Sequence, residues 1–258
     1  MSQERYVDPV AQRYASSEMQ VLFSPMERAK TWRDVWIALA RVEQKAGLPV
    51  TEEQVRELEK ARNEIDLERV AEIERETRHD VMAHIHHYGE LAPEAAGIIH
   101  LGVTSCFVTD NADLVLFRRA LEMIENRLLL AIHDLGKFCR QQAHVPTLGL
   151  THLQPAQLTT IGKRASLWLQ DLVDAYRDLV EFRERLPLRG LKGTTGTQAT
   201  FLHLCGGDGA KVDQLESDLA GELGFDHVFD LCGQTYPRIW DHKLASRLTD
   251  VAIAVHKA

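Results

Sequence analysis

Two long runs of apolar residues at helical spacing, separated by a polar segment, constrain this chain more than any other feature. Leu114, Phe117, Leu121, Ile124, Leu128, Ile132, Leu135 and Phe138 recur at three- and four-residue steps until Pro146. A second run through Ile161, Ala165, Trp168, Leu172, Ala175, Leu179, Phe182 and Leu186 stops at Pro187. The first, counted from a capping Thr109, is far longer than an ordinary globular helix, and the pair predicts antiparallel neighbours in a bundle. Sites in bundles form at helix ends and between facing helices, so attention falls on the segment between the runs, Gly149–Thr160. There His152 follows a glycine-containing loop, and Pro155 suits the first turn of a helix. From spacing alone a hydrogen-bonded capping histidine stands ahead of a catalytic one.

The remaining elements read as helices too, which makes the fold class all-α. Ser24, Pro25 and Glu27 supply an N-cap, a proline at the first helical position and an N3 carboxylate. Met26, Ala29, Trp32, Trp36, Leu39, Val42 and Ala46 then form a core face, closed by Gly47. Thr51 to Gln54 reads as a capping box, Asp66 and Asp80 as further N-caps, and Arg13 and Tyr14 lie in a non-periodic stretch. A short helix from Asp208 to Glu222, an extended stretch near Val228 and a last helix from Ile239 to Lys257 complete the chain. That last helix carries no stop signal, so the sequence reads as an N-terminal portion of something longer. The domain division expected is 1–108, a short-helix domain, followed by 109–258, an incomplete long-helix bundle.

Chemistry-bearing residues cluster at predicted helix starts. Arg78 and His79 precede a helix N-terminus, where free N–H groups and the positive dipole end favour a phosphate or carboxylate; a plain surface capping cluster stands equal to that reading. Thr104 and Ser105 end a glycine-broken stretch and could offer donors to an anion. The loop from Arg189 to Gln198 is rich in glycine and threonine, but it lacks the Gly-Lys-Ser/Thr ending of a phosphate-binding loop, and serves as a ligand loop or a linker. His84, His86 and His87 invite a metal reading, which the lack of a carboxylate or thiol partner nearby sets aside. A formal charge of -8 over 258 residues argues against a general nucleic-acid surface. No run is long and apolar enough to span a bilayer, and Met1–Tyr6 lacks the apolar core of a signal peptide. The expected compartment is the cytoplasm, with Cys106, Cys139, Cys205 and Cys232 reduced.

Taken in order, Arg13-Tyr14, Thr77-Arg78-His79-Asp80-Val81, His100-Leu101-Gly102-Val103-Thr104-Ser105, Thr151-His152-Leu153-Gln154-Pro155-Ala156, Gly193-Thr194-Thr195-Gly196-Thr197-Gln198 and Gly233-Gln234-Thr235 resemble the adenylosuccinate lyase family, animal-type branch, within the fumarase/aspartase superfamily. The resemblance covers essentially the whole chain. It implies a homotetramer whose sites draw on three subunits, no metal or organic cofactor, and β-elimination of fumarate from adenylosuccinate and from SAICAR. By the same resemblance His152 is the general acid that protonates the leaving nitrogen and His79 supports that step. Arg13, Tyr14, Arg78, Asp80, Thr104, Ser105 and Gln234 would bind the nucleotide substrate. The residue types suit this: charge builds on a carboxylate as the neighbouring carbon loses its proton, and hydroxyl donors there favour the intermediate over the substrate. The family's base is a serine in a Ser-Ser-x-Met-Pro-x-Lys-x-Asn-Pro loop, which this sequence lacks, and neither Ser105 nor Ser166 is promoted to replace it. The chain alone is therefore expected to be inactive. Two rival readings are a non-catalytic assembly module and another lyase of the superfamily.

Overall fold

The computed structural model describes residues 8–258, so the reading of Met1–Tyr6 lies outside the described residues. Helices dominate, as expected, in two compact units: one takes the chain up to Phe117 together with Pro187–Pro237, the other Arg118–Leu186 together with Arg238–Ala258. This differs from the 1–108/109–258 division. The physical reason is a set of polar ties that draw the segment after Pro187 back into the first unit, described below.

In the first unit, α1 (Pro9–Tyr14) and α2 (Ser17–Leu22) are short turns with Asp8 and Ser16 as their caps. Arg13 and Tyr14 are thus helical, not irregular, because the Asp8 carboxylate and Pro9 start a helix that periodicity over so few residues cannot reveal. The core is built on α3 (Pro25–Lys45), capped by the Ser24 hydroxyl, whose Trp32 and Trp36 are buried. α4 (Glu52–Ala61) starts with the predicted capping box, and α5 (Leu67–Thr77) with the Asp66 cap. Val70 and Ile73 of α5 pack on Ala83 of α6 (Asp80–Leu91). The Arg33 guanidinium lies 4.2 Å over the Tyr88 ring and donates to the Ala61 and Arg62 carbonyls; burial pulls its pKa down to about 10. Arg33 thereby joins α3, α4 and α6.

The second unit takes most of α7 (Ser105–Gln141), a helix of 37 residues, then a hairpin and α8 (Ile161–Glu184). The hairpin corrects the expected loop: β1 (Pro146–Thr151) pairs antiparallel with β2 (Gln154–Thr160). Pro155 therefore sits in a strand opposite Leu150 and starts no helix; the N-cap of α8 is Thr160, whose hydroxyl accepts from Lys163 N–H. The long helices come together closely at that end. A Cβ on Gly162 would meet the Cys139 carbonyl and lie 2.8 Å from Ala143 backbone atoms. Gly162 N–H donates to Gln142 O at 2.9 Å. Further along, Leu128, Leu172, Ala175 and Ala254 share a core with α11 (Ile239–Lys257), and Arg183 pairs with Glu125 at 2.7 Å. The helices α9 (Ala199–Leu204) and α10 (Gly209–Glu222) belong to the first unit. No helix among the described residues is long and apolar enough to cross a membrane.

Candidate functional site

Two helix starts meet at one histidine. Arg78 caps the end of α5 in the left-handed conformation, φ 56°, which turns the chain sharply so that His79 can begin α6. His79, not Asp80, is the N-cap: it adopts extended backbone geometry and its Nδ1 accepts from Met82 N–H at 3.4 Å. Sequence reasoning preferred Asp80 because carboxylates cap more often than imidazoles; Asp80 instead sits in the first turn and accepts from Val81 N–H at 2.7 Å. The other face of the His79 ring places Nε2 3.2 Å from Ser105 Oγ.

Ser105 opens α7, four residues earlier than the Thr109 start expected; Thr109 bonds back to Ser105 O as an interior residue. The corner therefore combines the positive ends of two helices, the Arg78 cation and the Ser105 hydroxyl, with Thr104 adjoining. This is an arrangement for an anion. Arg78, His79 and Asp80 are all solvent-exposed, so a ligand can reach them. With Nδ1 accepting from the backbone, the neutral His79 ring carries its proton on Nε2 and donates to Ser105. A protonated ring can instead turn Nδ1 toward Asp80 Oδ1, 3.4 Å away.

The first turns of α7 also anchor the glycine-threonine loop. Asn111, fully buried, accepts from Gly190 N–H at 3.1 Å and donates to Gly190 O at 3.3 Å. Asp110 accepts from Tyr236 N–H at 2.8 Å. Buried Arg189 donates to Gln234 O at 2.8 and 3.0 Å and to the carbonyls of Lys192 and Gly193. Lys192 pairs with Glu216 at 2.8 Å. Gly190, at φ 78°, has Val228 and the Glu216 carboxylate where a Cβ would go, so only glycine fits there. This loop is a fixed scaffold, not a slack linker, and it ties Gln234 to α7. Asp110 lies about 8 Å along the helix from Ser105. Sequence reasoning missed Asp110, Asn111 and Arg189 because their helical or loop positions carry no motif; polar residues among buried periodic ones were the available signal.

His152 belongs to the second unit. It occupies the exposed tip of the hairpin, where His152 and Leu153 take φ 50° and 60°. Positive φ at both central positions defines a type I′ turn, normally built from asparagine and glycine. Arg13 and Tyr14 are exposed on α1, and Gln234 is exposed in its loop. The structure thus brings together Arg78, His79, Asp80, Thr104 and Ser105 in the first unit, and holds His152 on a separate element. The suspected metal ligands have other work: His84 packs edge-on to Trp32 at 4.8 Å, and His87 Nε2 accepts from Asp66 N–H at 3.0 Å.

Comparison with known proteins extends this. A lyase family model matches residues 5–203. The chain is 48% identical over 256 residues to the adenylosuccinate lyase of Schizosaccharomyces pombe, covering 98% of this chain and 53% of that protein. For the adenylosuccinate lyase of Saccharomyces cerevisiae the identity is 46% over 257 residues, with 98% and 53% covered. The chain spans about half the length of the curated relatives it matches. Among solved structures it is similar to the 3-carboxy-cis,cis-muconate lactonizing enzyme of Pseudomonas putida, TM-score 0.81 at 25% identity over 97% of this chain and 56% of that one. It is also similar in fold to a fumarate lyase from Mesorhizobium sp. BNC1, TM-score 0.80 at 24% identity over 93% and 55%. By the match to its family model, over most of its length, the chain belongs to the lyase family.

Proposed function

We propose that this chain supplies the acid side and much of the substrate pocket of an adenylosuccinate lyase, which splits adenylosuccinate into AMP and fumarate and SAICAR into AICAR and fumarate. The observation that carries the reading is the 48% identity along nearly the whole chain to an enzyme of that name, at a chain whose His79 and Ser105 stand 3.2 Å apart between two helix starts. In the proposed reaction Thr104 and Ser105 donate to the carboxylate on which charge accumulates as the adjacent carbon loses its proton. Arg78 and Asp80 hold the substrate's polar groups with Arg13, Tyr14 and Gln234. The nitrogen leaves poorly as an anion, and His152 gives it a proton, with His79 supporting that transfer.

The exposed hairpin tip suits a residue that acts in a site completed by neighbouring subunits. A homotetramer is the proposed assembly. Exposed Leu129 and Leu130 on α7 and Ile253 and Val255 on α11 support it, because such large apolar side chains gain by burial against another copy. The same residues favour a second reading, an assembly module without turnover of its own. The cytoplasm, where soluble nucleotides are processed, is the proposed compartment.

The test is His152→Ala in the complete enzyme, followed by fumarate release. Turnover is expected to fall at least about a hundredfold while substrate binding stays measurable. Near-normal turnover would remove His152 from the acid role.

A further inference from the structure

A second histidine, His100, was quoted in motif reading but given no task. His100 is half-buried, and Trp36 Nε1 stands 3.0 Å from its Nδ1. The two rings meet edge-on, 6.1 Å apart at 79°, and Trp36 is fully buried on α3. An indole N–H can only donate. His100 Nδ1 must therefore be the bare nitrogen, which puts the ring's single proton on Nε2; protonating Nδ1 would set two donors against each other inside the core. Among the described residues the ionisable group whose charge reaches His100 is His79. Burial, with His79 adding to it, pulls the His100 pKa down to about 4, in the direction the geometry demands.

We propose that Trp36 and His100 form a tautomer lock, which keeps His100 a neutral Nε2–H donor and so keeps a second positive charge away from His79. His100 is then a positioning residue: a cation in its place would oppose a proton on His79 by like-charge repulsion. The role in turnover rests on the proposed function of His79; the lock itself does not.

The experiment is a pH series of ¹H–¹⁵N imidazole spectra on the 258-residue chain, for the wild type, Trp36→Phe and His100→Gln, the last to assign the His100 signals. Wild-type His100 is expected to remain the Nε2–H tautomer from about pH 5 to 9. Trp36→Phe frees Nδ1, so an Nδ1–H tautomer of His100 becomes populated, while burial still keeps the ring uncharged. A wild-type His100 that titrates in this range, or carries its proton on Nδ1, overturns the lock. So does a Trp36→Phe chain whose His100 stays wholly Nε2–H, since the indole would then not be what fixes the tautomer. Should Trp36→Phe fail to fold, the wild-type tautomer still decides. If His79→Ala retains turnover in the complete enzyme while the His100 spectrum is as expected, the role assigned to His79 fails and the lock stands.

Discussion

Residue by residue, this chain puts conformational strain where its motifs put chemistry. Arg78, His152 and Leu153 are the non-glycine residues with positive φ among the described residues, and two of the three carry proposed functional roles. A branched side chain such as leucine pays for that geometry, since its Cβ crowds the backbone. Leu153 is fully exposed, so it recovers nothing by packing. Leu153→Gly is expected to stabilise the second unit by about 0.5–1 kcal/mol while leaving the His152 imidazole in place. Urea unfolding followed by circular dichroism checks this, and a lower midpoint would contradict the turn geometry.

Among the elements, α7 and α8 depend on one glycine at their closest approach. In an exposed helix, alanine for glycine would gain about 1 kcal/mol. At Gly162 the added methyl meets the α7 terminus, so Gly162→Ala is expected to destabilise by roughly 1–3 kcal/mol; an unchanged or raised Tm would contradict this. The elements that sequence reading captured were those written in local terms: the Ser24 and Asp66 caps, the Thr51–Gln54 box, the helix from Asp208 to Glu222, the stop of α8 before Pro187 and the span of α11. The hairpin escaped it. Its strands carry only two alternating apolar positions each, Leu148 and Leu150, then Ala156 and Leu158, its turn lacks Asn-Gly, and Pro155 imitates a helix start although its place opposite Leu150 gives it a strand position. Of the site, Arg78 and His79 were readable because they stand at a helix boundary, and Ser105 because it ends a glycine-broken stretch. The capping imidazole and the ties from Asp110, Asn111 and Arg189 depend on residues distant in sequence.

For the molecule as a whole, stability should carry an unusual pH signature. Glu43 on α3 is completely buried, and neither carboxylate oxygen has a hydrogen-bond partner. Burial pushes its pKa from 4.5 up to about 9. At neutral pH the folded chain therefore holds a proton there that the unfolded chain releases, so this group's contribution to stability falls as pH rises from about 4.5 to about 9. The slope is at most roughly 1.4 kcal/mol per pH unit. Glu43→Gln removes the ionisation, and its Tm relative to wild type should rise between pH 5 and pH 8; parallel pH profiles for the two proteins would contradict the assignment. The division of the chain has a consequence for its synthesis. The first unit takes residues on both sides of the second unit's hairpin and α8, and bonds such as Asn111 to Gly190 span 79 residues. A nascent chain leaving the ribosome must therefore emerge through α8 and the glycine-threonine loop before the unit that began first can close, and until then its unsatisfied core is the segment exposed to chaperones.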